Sequence, residues 1–199
     1  PTLLASSLEP AGWADTDSIT LSWEGAADAC SGLAQMDVAI DGGTYTALAV
    51  AENGSEIIDI SALEDGTHTL SLRLTDALGN AASWEHAFCL DVTPPEVELL
   101  TPLDGTVVTG VLDIWGSATD ISLLDWTLTA TGSSGKTVAI RTDTTERASE
   151  QLGVLDTGEF ADGETIEIVL VAHDQAGHES TARGVFIKAD HSAQAIVAD

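Results

Sequence analysis

The sequence predicts an all-β protein, two antiparallel β-sandwiches in tandem with about seven strands each. Three observations carry this. Apolar residues alternate with polar ones at period two, the mark of strands with one buried face. Turn signals break the runs at short intervals. The same plan occurs twice in 199 residues.

The elements follow in order. Ile19, Leu21 and Trp23 alternate in the first clear strand. Met36, Val38 and Ile40 mark the next, then His68, Leu70, Leu72 and Leu74, then Trp84, His86, Phe88 and Leu90. Asp41-Gly-Gly43, Asn53-Gly54, Asp65-Gly66 and Gly79-Asn80 punctuate them. In the second half Val111, Ile114 and Trp115 are read as one apolar run. Trp126, Leu128 and Ala130 form another, Ile166, Ile168, Leu170 and Ala172 a third, and Val185 with Ile187 a fourth. Asp65-Gly66 matches Asp162-Gly163 at an offset of 97, and Asp76-Ala-Leu-Gly-Asn80 matches Asp174-Gln-Ala-Gly-His178 at an offset of 98. Two features in order at nearly one offset indicate a duplicated domain. The joint is Asp91-Val-Thr-Pro-Pro95. Paired prolines lack backbone donors and hold the preceding residue extended, so they end a strand and stiffen a linker. The expected domains are 1–93 and 94–190, with 191–199 read as a flexible C-terminal tail.

Charge narrows the partners. The chain carries 33 Asp and Glu against 6 Lys and Arg, a formal net charge of −27. Six cations cannot build the basic face that nucleic acid requires. An anionic membrane surface is disfavoured for the same reason, and no apolar run is long enough to cross a bilayer. A carboxylate-rich, lysine-poor surface also suits a high-salt environment, where repulsion is screened. The chain opens at Pro1 without a basic and apolar leader, and is expected to be a piece of a larger parent protein.

The string Trp23-Glu-Gly-Ala-Ala-Asp-Ala-Cys-Ser-Gly-Leu-Ala34, with Val38-Ala-Ile-Asp-Gly-Gly43, Asp65-Gly-Thr-His68, Asp76-Ala-Leu-Gly-Asn80 and Asp91-Val-Thr-Pro-Pro95, resembles bacterial immunoglobulin-like repeats. These belong to the broad group that includes fibronectin type III-like sandwiches. The second half, with Gly116-Ser-Ala-Thr-Asp120, Leu152-Gly153, Leu155-Asp-Thr157 and Asp174-Gln-Ala-Gly177, is similar to the Ig-like repeats that precede YD-repeat regions in large bacterial surface proteins. His178 stands where that family usually has Asn. The resemblance implies two tandem Ig-like sandwiches in an extracellular or cell-surface bacterial protein. It implies a structural or spacer role that presents a distal functional region. An adhesive module that binds a surface glycan or a protein, and an accessory of a secreted enzyme, are the alternatives.

Candidate sites are few. Asp76 and Asp174 each end a strand before a turn closed by Gly79 or Gly177. One reading is a carboxylate that accepts hydrogen bonds from turn amides. The other is calcium ligation, since hard cations take clustered carboxylates. On that reading Asp91, Asp120 and Asp174 are the candidate ligands at the domain joint, by analogy with ion-clamped joints of other tandem sandwiches. No calcium-loop motif supports it, and no other cofactor is expected. No catalytic or cofactor-binding residue is assigned. The five histidines lack metal-site spacing, no G-x-S-x-G elbow occurs, and the chain reads as a non-enzyme. Trp23, Trp84, Trp115 and Trp126 are read as core packing rather than a sugar-stacking face. Trp13 sits in a polar stretch without an assignment. In the Ig-like fold Cys30 and Cys89 fall at opposite ends of the sandwich. A disulfide needs Cα atoms about 4.4–6.8 Å apart, so no bridge is expected.

Overall fold

A computed structural model describes residues 1–189. The tail expected over 191–199 lies outside the described residues. The chain divides into two compact units, Pro1–Val92 and one that begins at Thr93.

The first unit holds β1 (Ala5–Glu9), β2 (Trp13–Ala14), β3 (Ser18–Glu24), β4 (Leu33–Ile40), β5 (Thr46–Leu48), β6 (Gly54–Asp59), β7 (Gly66–Asp76) and β8 (Ala81–Leu90). They form a three-stranded sheet, β1-β3-β6, and a five-stranded sheet, β2-β8-β7-β4-β5. The second unit holds β9 (Glu96–Thr101), β10 (Val107–Val108), β11 (Val111–Thr119), β12 (Leu123–Gly132), β13 (Thr137–Asp143), β14 (Arg147–Asp156), β15 (Thr165–Asp174) and β16 (Glu179–Lys188). Its sheets are β14-β11-β9 and β10-β16-β15-β12-β13, the same order again. Apart from one 3-10 turn at Thr157–Glu159, the described residues hold no helix.

Each unit has seven strands if its first is counted once, because that strand is split between the sheets. β1 runs antiparallel to β3, and β2 then joins β8 in parallel. β9 and β10 repeat this with β11 and β16. Pro10 and Pro102 sit where the chain leaves the first sheet. A proline has no N–H to give the ladder, so a break there leaves no donor stranded.

The period-two alternation builds the two cores. Ile19, Leu21 and Trp23 of β3 face Met36 and Val38 of β4, Leu70, Leu72 and Leu74 of β7, and Phe88 and Leu90 of β8. In the second unit Trp126, Leu128 and Ala130 meet Ile166, Ile168, Leu170 and Ala172 across from Ile114, Leu152 and Leu155. The indoles keep their donors satisfied inside. Trp23 Nε1–H donates to the Ala51 carbonyl at 3.1 Å, and Trp126 Nε1–H to that of Thr145 at 2.9 Å. Trp84 packs against the first core half-buried, and Trp13 pairs with Cys89 in the β2–β8 ladder.

Two strands contradict the sequence reading. In β11 the inward residues are Ile114, Gly116 and Ala118, while Val111 is 68% exposed and Trp115 43% exposed. In β16 Gly184 and Phe186 are the buried residues, and Val185 and Ile187 point outward. Trp115 is therefore no core residue. The cause is close approach. A Cβ on Gly116 would lie 2.1 Å from the Glu98 carbonyl oxygen and 2.8 Å from Leu152 Cδ1. A large inward side chain has no room there, so the inward positions after Ile114 are the small Gly116 and Ala118, and the alternation itself is kept.

Cys30 and Cys89 are both free thiols. Cys30 lies in the loop before β4, whose Gly32 carbonyl receives the Ala77 amide at the far end of β7. Cys89 pairs with Thr67 at the opposite end of that strand.

Candidate functional site

The chemistry begins with the turns that close β7 and β15. At the first, Asp76 Oδ1 accepts the Leu78 and Asn80 amides at 2.9 and 2.8 Å, and the Asn80 side-chain amide donates to Oδ2 at 2.8 Å. At the second, Asp174 Oδ1 accepts the Gly177 and His178 amides at 2.6 and 2.8 Å, and His178 Nδ1 lies 2.7 Å from Oδ2. Gly79 and Gly177 take φ of 87° and 107°, a region that other residues adopt at a cost. His178 thus does the work of Asn80. Hydrogen bonds from Asn80 lead in holding Asp76 below the usual carboxylate range. Burial pushes Asp174 up, but the bonds from His178 and Gly177 outweigh it and its carboxyl also falls below that range.

The three proposed calcium ligands are placed as follows. Asp174 is buried at the end of β15. Asp120 follows β11, where its Oδ1 accepts the Ser122 amide at 2.7 Å. The Gln175 amide in turn donates to Ser122, to its carbonyl at 3.0 Å and its hydroxyl at 3.2 Å. The Asp120 loop and the Asp174 turn therefore share one end of the second sandwich. Asp91 is fully buried directly after β8, with its amide on the Ala14 carbonyl at 3.0 Å.

The histidines are tied to carboxylates across strands. His68 Nδ1 lies 2.7 Å from Asp41 Oδ2, and its Nε2 lies 2.8 Å from the Glu64 carbonyl. Burial lowers its pKa, but Asp41 and the Glu64 carbonyl outweigh that and raise it. His173 lies between Asp125 at 2.9 Å and Glu179 at 3.2 Å, and the Asp125 hydrogen bond leads in raising its pKa. Ser6 Oγ and His86 Nε2 are 2.7 Å apart, the spacing of a nucleophile and its base. A hydrolytic dyad also needs a group that orients the base, and no second side-chain hydrogen bond reaches His86 among the described residues. The pair joins the two sheets at the β1–β8 side.

Sequence reasoning missed Asp37. It is buried beside Arg73, whose Nη2 donates to Oδ2 at 3.0 Å under a lid formed by Tyr45, 3.7 Å from the guanidinium. The available signal is an acid at an alternate position of β4 with an arginine in register on β7.

No protein-family model matches the chain, and no curated protein matches it. Among solved structures it is similar to the fibronectin(III)-like modules of Clostridium thermocellum CbhA, with 14% identity over 98% of this chain and 100% of that one, at a TM-score of 0.38. It is similar to a tetra-tandem repeat in the extending region of a large adhesion protein, with 23% identity over 92% of this chain and a TM-score of 0.45, and spans 48% of that structure. A two-domain fibronectin type III segment of chicken tenascin gives 10% identity, coverage of 91% and 96%, and a TM-score of 0.39. With each of these scores below 0.5, the fold rests on the sheets themselves: the chain is a tandem of two Ig-like, fibronectin type III-like β-sandwiches.

Proposed function

We propose that the chain is a non-catalytic structural module, a spacer of a bacterial cell-surface or secreted protein that holds a distal functional region of the parent protein away from the envelope. The repetition of one sandwich, locked twice by the same carboxylate turn, carries the reading. Proline pairing at Pro94-Pro95 and the net charge of −27 suit a hydrated stalk. No helix among the described residues is long and apolar enough to cross a membrane. Pulled from its ends in a single-molecule force experiment, the chain gives two unfolding events. Each lengthens it by about 300 Å, as a domain of this size must. One merged event, or extension without resistance, overturns the reading.

The half-exposed Trp115 favours a second reading, adhesion to a surface glycan. Its ring lies on the outer face of β11, where an indole offers a stacking surface. Binding on a glycan array that Trp115→Ala abolishes would establish it.

Calcium belongs to the same proposal, with Asp91, Asp120 and Asp174 as ligands that stiffen the chain. Asp174 already spends three of its acceptor sites on its own turn, so an ion there has one left. A saturable rise in melting temperature with calcium, absent with sodium chloride of equal ionic strength and lost in Asp120→Asn, is the expected outcome. Its absence removes calcium from the proposal.

A further inference from the structure

The two sandwiches share a strand order but differ along one flank. In the second, β13 and β14 close the gap between the sheets. Ile140 lies so near Gly153 that a Cβ there would be 2.6 Å from its Cγ2. Leu152 and Leu155 of β14 are fully buried. In the first, β5 has three residues and β6 six. Between them a cleft of about 420 Å³ opens, lined by Val38, Ile40, Leu48 and Ile58 and rimmed by Glu56 and Asp59. Ile40, Leu48 and Ile58 point at the core yet remain only half-buried. Next to them Ile57 is 70% exposed.

We infer that this flank is a strand-accepting groove that takes an extended segment of another protein, apolar on one face and lysine- or arginine-bearing on the other. Both walls are sheet edges, and an edge offers unpaired N–H and C=O groups to an incoming strand. A strand seated there gains a main-chain ladder and covers the half-buried side chains, the mode of β-augmentation. Charge selects the occupant. The rim is acidic, no lysine or arginine lines the cleft, and a chain of net charge −27 repels a cationic segment least of all. A second copy of this chain is a poor occupant, because its six lysines and arginines already sit in ion pairs of their own.

The test uses the full chain, isotope-labelled, at physiological salt. The probe is a short capped peptide that alternates isoleucine or valine with lysine. One control is the same peptide N-methylated at alternate residues, which cannot form the ladder; the other has glutamate for lysine. The lysine peptide should bind saturably, one per chain, and slow amide exchange at Thr46–Leu48 and Gly54–Asp59. N-methylation should weaken it by about tenfold or more. Glu56→Lys, at an exposed side chain, should weaken the lysine peptide and strengthen the glutamate one. No saturable binding, equal binding of the N-methylated peptide, or perturbations spread over both units overturns the inference. It goes beyond the spacer reading, which stands or falls on the two unfolding events and not on this groove.

Discussion

At the scale of single residues, the Asp174 turn shows how one geometry is met by two side chains. Asn80 and His178 each place a nitrogen on the carboxylate of the residue four positions earlier. His178→Asn should therefore leave stability within about 0.5 kcal/mol, as a neutral exchange does. Asp174→Ala strips three hydrogen bonds and leaves turn donors without an acceptor, at about 1–3 kcal/mol. Denaturant midpoints of the two variants check this, and equal losses would refute the equivalence. The depressed Asp174 contributes stability that is present above the ordinary carboxylate pKa of about 3.9 and lost as pH falls through its lower folded value. His68 and His173 act with the opposite sign. Their raised pKa values contribute stability that is complete below the unfolded value of about 6.5 and lost as pH rises through the folded one. Midpoints should fall as pH rises through that window, and the His68→Gln, His173→Gln double variant should flatten the fall. A profile of unchanged steepness in the double variant would mean that neither histidine is responsible.

At the scale of elements, the direction of each strand's side chains decides which substitutions cost most. Leu72→Ala and Leu170→Ala should each lose about 2–5 kcal/mol, because both side chains are fully buried. The two tryptophans of the second unit separate further. Trp126→Ala should cost about 3–5 kcal/mol, whereas Trp115→Ala, half exposed, should stay below about 1 kcal/mol. Similar losses for both would return Trp115 to the core. This pair also marks what the sequence could reveal. In β3 and β7 the inward apolar residues are large, and in β12 and β15 each inward row carries two or more large ones, so the alternation is plain. In β11 and β16 the inward set includes Gly116, Ala118, Ala182 and Gly184, and the larger apolar residues stand on the outer face, so hydropathy marks the wrong side. Hydropathy records size and polarity, not the space that a neighbouring strand leaves. The turn carboxylates were legible because Asp76, Gly79 and Asn80 are local in sequence. Asp37 with Arg73, and His173 with Asp125 and Glu179, depend on strand register, which spacing along one chain does not carry.

At the scale of the whole molecule, charge is the dominant global term. All six lysines and arginines sit within 4 Å of a carboxylate, yet six cations against 33 acids leave a net charge of −27. Added salt weakens both the pairs and the repulsion. Half of the pairs, those of Lys136, Arg147 with Glu150, and Arg183, are exposed, and such pairs contribute about 0–1 kcal/mol each. The repulsion is summed over many like charges and reaches across a domain when the Debye length is about 30 Å, as at 0.01 M salt, and shrinks with it to about 8 Å at 0.15 M. The folded state holds those charges closer together than the unfolded chain does, so screening relieves the folded state more. Stability should therefore rise with sodium chloride over this range and level off once the Debye length falls below the spacing of neighbouring carboxylates. Potassium chloride should do the same, since the effect depends on ionic strength and not on ion identity. Thermal melts in both salts test it. A melting temperature that falls with salt would mean that the six ion pairs outweigh the excess of acids, and a gain confined to one cation would point to specific binding in place of screening.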